Sequence, residues 1–154
     1  MDVNIINPVI TAFREVLPQI GIQKIEKTGV SVTGSSFSYN GVLLNIAVVG
    51  SIKGVILIGM DKEGAKKFAS KMMMGMEVPE FNKLAQSAIS EMGNMVCANA
   101  CTQFSKADVA GLDISPPTLL ISDSDGQVGI PVPQTVVVEL LCDDIPVHLH
   151  IGLM

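Results

Sequence analysis

A chain of 154 residues suits one domain and is long enough to bury a substantial core. Its 48% hydrophobic and 16% charged residues and net charge of −5 leave no electrostatic footprint for nucleic acid, since the one basic cluster, Lys66, Lys67 and Lys71, reads as a solvated helix face. No apolar run approaches the roughly 20 residues of a membrane helix, the start Met1-Asp2-Val3-Asn4 lacks a signal-peptide pattern, and three cysteines do not make a secreted disulfide framework, so a cytoplasmic protein without membrane or nucleic-acid partners is expected.

The first helix is predicted to open with Asn7 as N-cap and Pro8 at the first helical position. Val9, Ala12, Phe13 and Val16 carry it at helical spacing until Pro18 and Gly21. A strand is expected over Ile22 to Val32 and a loop over Thr33 to Gly41. Then comes a hairpin, Val42–Val49 and Val55–Met60, turning at Gly50-Ser51-Ile52-Lys53-Gly54. Leu44, Ile46 and Val48 alternate with Leu43, Ala47 and Val49, so both faces of this hairpin are apolar and both require cover.

Asp61 is expected to cap a second helix with an apolar stripe of Ala65, Phe68, Ala69 and Met72, stopped by Gly75. The longest helix follows, over about Glu80 to Ser105. Strands return at Thr118–Ser122, Thr135–Cys142 and Val147–Gly152, with turns at Asp123-Ser124-Asp125-Gly126 and Asp143-Asp144. The fold class is therefore α+β: a mainly antiparallel sheet covered by helices in α/β/α layers. Ile151-Gly152-Leu153 ends the second hairpin much as Ile58-Gly59-Met60 ends the first, which hints at an internal pseudo-two-fold. The mean hydropathy of +0.47 and the two-sided strands point to a homodimer joined through sheet edges or an apolar face.

The longest helix carries the one stripe that looks like a site. With Ser87 at zero, Glu91 falls at roughly +40° and Asn94 at roughly −20°. Leu84, Ala85, Ala88, Ile89, Met92, Met95 and Val96 occupy an arc from roughly +60° to +200°, expected to be the buried side. Beyond the stripe lie Ser90, Cys97, Ala98 and Cys101, all small. Merely solvated helix faces more often carry Lys, Glu and Arg, which pair and shield the backbone. Here bulk is cleared, as though something flat must approach Glu91 and Asn94. Short polar residues also occur on exposed faces by chance, and the pattern alone leaves both readings open.

Ser87-x3-Glu91-x2-Asn94, followed at a distance by Pro117, resembles the signature of the CheC, CheX and FliY phosphatases of bacterial chemotaxis. The three helical positions would arise by chance in about 1 in 30 chains of this size, and the added proline lowers that further. Asn7-Pro8, the Gly50–Gly54 hairpin turn and the Met60-Asp61 helix start resemble the family too. CheC-like members carry the motif twice and CheX-like members once. The first helix here offers Thr11, Arg14 and Glu15 without the full set, so the chain resembles CheX.

That resemblance implies a phosphatase for the aspartyl phosphate of a CheY-like response regulator, with no cofactor of its own and with Mg²⁺ supplied in the regulator. It implies Asn94 holding the attacking water and Glu91 pairing with the regulator's lysine. Ser87, Ala98 and Pro117 would support the site or touch the partner. A homodimer is implied as well; a CheD-like partner is neither supported nor excluded. The rival is a non-catalytic binding module of the same fold, such as a flagellar-switch component, although those lack an intact Glu/Asn pair. Among other residues, Cys97, Cys101, His148 and His150 could be imagined as a Cys2His2 site, but small packing residues and a wetter strand face are the simpler reading. Asp123-x-Asp125-Gly126 lacks the terminal glutamate of a calcium loop.

Overall fold

The computed structural model describes residues 3–107, 109, 111–130 and 134–153. In chain order the elements are α1 (Val3–Val16), β1 (Ile25–Thr33), β2 (Ser36–Gly50), β3 (Gly54–Met60), α2 (Lys62–Met72), α3 (Lys83–Lys106), β4 (Leu112–Ile114), β5 (Thr118–Gly129), β6 (Thr135–Cys142) and β7 (Ile145–Leu153), with a 3-10 turn over Leu17–Ile20. The strands form one antiparallel seven-stranded sheet in the order β1-β6-β7-β3-β2-β4, with β5 also paired to β2. Two hairpins, β2–β3 and β6–β7, thus lie side by side through the β3–β7 ladder.

Side-chain alternation sorts the apolar residues onto two faces. Leu44, Ile46, Ile56, Ile58, Val138, Leu140, Val147 and Leu149 share one cluster with Phe13 of α1, Phe68 of α2 and Ile89 and Val96 of α3. All three helices cover this face. The second face holds Leu43, Val55 and Leu57 with Val128 and Ile130, packed by Phe37, Tyr39 and Leu120, and no helix contributes. The expectation of helices on both faces fails here; the second face is covered by the outer ends of β2 and β5. Phe37 stacks on His150 of β7 with ring centroids 4.1 Å apart, although β3 lies between their strands. The start of β2 must therefore cross over β3. It bends at Gly41, which has φ +107°; a Cβ there would stand 2.7 Å from Asp61 Cα. The ladder with β5 shifts register at the same place, between Tyr39 and Gly41.

That arm overturns two expectations. The span read as a loop, Thr33 to Gly41, is mostly strand, because Ser36, Ser38 and Asn40 alternate with Phe37 and Tyr39, which pack inward. The expected turn at Asp123–Gly126 lies within β5, whose end pairs with that same arm. At the N-terminus, α1 starts before Asn7, and Pro8 lies inside it rather than at its start. One backbone bond, to the Asn4 carbonyl, is forgone there, while Ile6 ahead of the proline packs against the core. The helix-cap reading of Asp61 holds: its Oδ1 accepts from the Gly64 N–H at 2.6 Å. The strand limits Thr135 and Cys142 match as well.

Candidate active site

The Asn82 side chain begins α3, its Oδ1 accepting from the Ala85 N–H at 3.0 Å, so the helix starts slightly later than the sequence pattern suggests. From there the helix lies against the sheet at Gly93. An added Cβ at that position would meet Leu44 Cδ1 at 2.8 Å and Ile46 Cδ1 at 3.3 Å, so a larger residue would have to push these side-chain ends aside. Sequence reading passes over Gly93, although a lone glycine inside a long helix forfeits about 1 kcal/mol and so signals a packing reason. Its consequence is positional: Gly93 sits between Glu91 and Asn94 and sets their height above the sheet.

Of the apolar arc, Ala85, Ile89, Met92 and Val96 are buried, and Ala88 and Met95 are half-buried. Ser87, Glu91, Asn94 and Ala98 are all exposed, on one narrow face. One expectation fails: Leu84, placed at the margin of the buried arc, is 61% exposed and joins the outward stripe. Among the described residues, Ser87, Glu91 and Asn94 have no side-chain hydrogen bond or ion pair. A carboxylate and an amide are thus held outward on a rigid helix with their bonding capacity unspent. Such an exposed helix face suits a macromolecular partner, whereas small ligands are held in clefts.

Pro117 is half-buried in the segment joining β4 to β5, and α3 packs against both of those strands. Beside the stripe, Cys97 is fully buried, and burial pushes its thiol up to about 12. Burial, then Asp113, raises the Cys101 thiol as well. Neither is prepared as a thiolate nucleophile. The imagined Cys2His2 set is split by the sheet. Cys97 packs in the helix-side cluster, while His150 lies opposite Leu57 on the other face. Burial, then His148, lowers the His150 pKa to about 4, and His148 Nδ1 lies 3.8 Å from Glu139 Oε1. With Ser38, Tyr39 and Pro146 the two histidines line a cleft of about 370 Å³ remote from the stripe.

The family profile described as "Chemotaxis phosphatase CheX" matches residues 42–139, more than half of the chain. The chain belongs to the CheX family of chemotaxis phosphatases. Its similarity to the CheY-P phosphatase CheX of Thermotoga maritima is 34% identity over 122 residues, covering 78% of this chain and 77% of that protein. In fold it is similar to a CheC-like superfamily protein from Shewanella sp. PV-4, with a TM-score of 0.87 at 17% identity over 100% of this chain and 99% of that one. It is also similar to a chain of the CheX-CheY-BeF3-Mg complex from Borrelia burgdorferi, with a TM-score of 0.72 at 20% identity, covering 97% and 95%. The resemblance first carried by Ser87, Glu91 and Asn94 thus holds at the level of family and fold. No helix among the described residues is long and apolar enough to cross a membrane.

Proposed function

We propose that this CheX-family chain dephosphorylates the aspartyl phosphate of a CheY-like response regulator by presenting Glu91 and Asn94 from α3. The observation that carries this reading is the outward, unpaired placement of both groups on one face of a helix seated on the sheet at Gly93. Two relatives favour the substrate: one is named a CheY-P phosphatase, and another was captured with CheY, BeF3 and Mg.

The chemistry needs little from outside. Water attacks phosphorus in line, the bond to the aspartyl oxygen breaks, the carboxylate returns to the regulator, and the water's proton leaves with inorganic phosphate. Catalysis of phosphoryl transfer is mostly positioning and charge stabilisation. Mg²⁺ and a lysine belong to the regulator; the missing element is a held water. An amide accepts from that water through its oxygen and donates to a neighbouring oxygen through its nitrogen, and Asn94 has both free. Glu91, pairing with the regulator's lysine, fixes the approach, and Ser87, Ala98 and Pro117 frame the contact. The chain needs no metal of its own in this scheme. Elemental analysis of protein purified without added metal should find no stoichiometric zinc.

The deciding experiment measures regulator binding and phosphate release side by side for wild type, Asn94→Ala and Glu91→Ala. Loss of rate with retained binding in Asn94→Ala supports the scheme. If wild type binds but never accelerates phosphate loss, the non-catalytic module is the correct reading.

We also propose a homodimer, formed along β1. This is an edge strand whose Val30 and Val32 are 54% and 58% exposed. Antiparallel pairing of two copies centred on Ser31 would set each Val30 opposite the other copy's Val32 and remove an unpaired edge. Light scattering should report twice the monomer mass at micromolar concentration, and Val32→Lys should halve it.

A further inference from the structure

Only a few side chains on the solvent face of α3 are long. Ser87, Asn94, Ala98, Thr102 and Ser105 are exposed but short, so the stripe is nearly flat. Three longer groups stand above it: Glu91, and Lys83 and Leu84 at its N-terminal end. Leu84 lies within roughly 60° of Ser87 around the axis and about 10 Å from Glu91 along it. It is 61% exposed in a part of the helix where Lys, Gln or Glu would support the helix equally well and remain solvated. The capping of α3 does not require it, since Asn82 and Gln86 hold the first turn through the Ala85 N–H and the Phe81 carbonyl.

We infer that Leu84 is an affinity-determining docking residue, which buries against an apolar patch of the phosphorylated regulator two helical turns from where Glu91 meets its lysine. This rests on the proposed function, because the occupant is the same partner and Leu84 is continuous with the catalytic stripe. Glu91 and the apolar Leu84, with Lys83 beside it on a nearly flat helix face, complement a partner that offers a lysine and, about 10 Å away, an apolar surface. Leu84 touches no reacting atom, so its contact is the same in the ground state and the transition state. It therefore governs KM and leaves kcat unchanged.

The test uses Leu84→Gln and Leu84→Ala in the full chain. With the phosphorylated regulator, each should raise KM about tenfold, leave kcat at saturation within twofold of wild type, and keep the thermal midpoint. The same Leu84→Gln change in an Asn94→Ala background should weaken binding to beryllofluoride-activated regulator by a similar factor. Unchanged KM and unchanged affinity would overturn the inference, as would affinity loss that tracks a fallen thermal midpoint. The functional reading fails separately, if wild type does not accelerate hydrolysis; the binding comparison still decides Leu84 in that case. Absence of any binding by wild type overturns both.

Discussion

Two helices of this chain carry nearly the same spacing and have opposite fates. On α3 the set is Ser87, Glu91 and Asn94; at the end of α1 it is Thr11, Glu15 and Pro18. Glu15 Oε2 accepts from Gln103 Nε2 at 2.8 Å, and Pro18 falls in the 3-10 turn after the helix has ended. Its acid is partly occupied, and a pyrrolidine ring with no polar side-chain atom stands where an amide would be needed. Glu91 and Asn94 have neither handicap. A carboxylate on an exposed helix is therefore not enough to make a site. The acid must be unspent, and the third position must be able both to accept and to donate while remaining on the helix.

The comparison breaks most readily at Asn94. Asn94→Ala should lower accelerated dephosphorylation about 100-fold or more, the size of effect seen when a positioned reacting group is lost, with regulator binding changed less than about threefold. Phosphate release under saturating chain concentration is the readout. Full activity in this variant would show that an amide on this face is dispensable, and the contrast between α1 and α3 would lose its meaning.

Glu91 comes next. Glu91→Gln keeps size and removes charge, and it should weaken docking and rate together by about tenfold, an effect that shrinks as salt is raised. Because the side chain is exposed and unpaired in the free protein, the unfolding free energy should stay within about 0.5 kcal/mol of wild type. A large stability loss would mean that Glu91 is structural, as Glu15 is in part.

The stripe is legible in the sequence because α3 combines strict helical recurrence of Ile89, Met92 and Val96 with short residues around Glu91 and Asn94. Leu84 is not, because an angular position near the edge of an apolar arc does not reveal how far the neighbouring elements reach; here they stop short of it. The second face of the sheet misleads for a different reason. Leu43, Val55 and Leu57 announce that cover is needed without saying what provides it. The cover comes from Phe37, Tyr39 and Val128, on strands that pair across a long stretch of chain, and from Ile130 just after them. Ser36, Ser38 and Asn40 resemble loop residues until that partner is known. Gly93 is visible as a glycine in a helix, but its meaning depends on Leu44 and Ile46 beneath it.

A smaller effect separates the two faces of the sheet. His150 on the second face has a folded pKa lowered to about 4, chiefly by burial, from an ordinary value of 6.5. The unfolded chain therefore binds this proton first, and stability falls as pH drops from about 6.5 towards 4. Asp143 acts in a lower window. Its carboxyl is held below the usual value by Lys71, then by the Lys24 N–H, so that contribution is lost only as pH falls below about 4. Urea unfolding at pH 7 and pH 5 should show a decrease that His150→Gln reduces, while activity per folded molecule of this variant at pH 7 matches wild type. Loss of activity there would tie the second face to the site.

The smallest expected effect is the most direct check on what distinguishes the two helices. Pro18→Asn supplies the residue type that α1 lacks and completes the spacing begun by Thr11 and Glu15. Placed in the Asn94→Ala background, it should recover no phosphatase activity. Residue 18 follows the end of α1, in a turn closed by the Gly21 N–H bonding to the Leu17 carbonyl, so its side chain does not continue the helical stripe. Glu15 also remains bonded to Gln103. Adding Gln103→Ala would release that acid but would still leave the amide off the stripe, so the triple variant should be inactive as well. Measurable turnover by either variant would mean that spacing and residue type suffice, and that the rigid, outward geometry assigned to α3 is not what makes it a site.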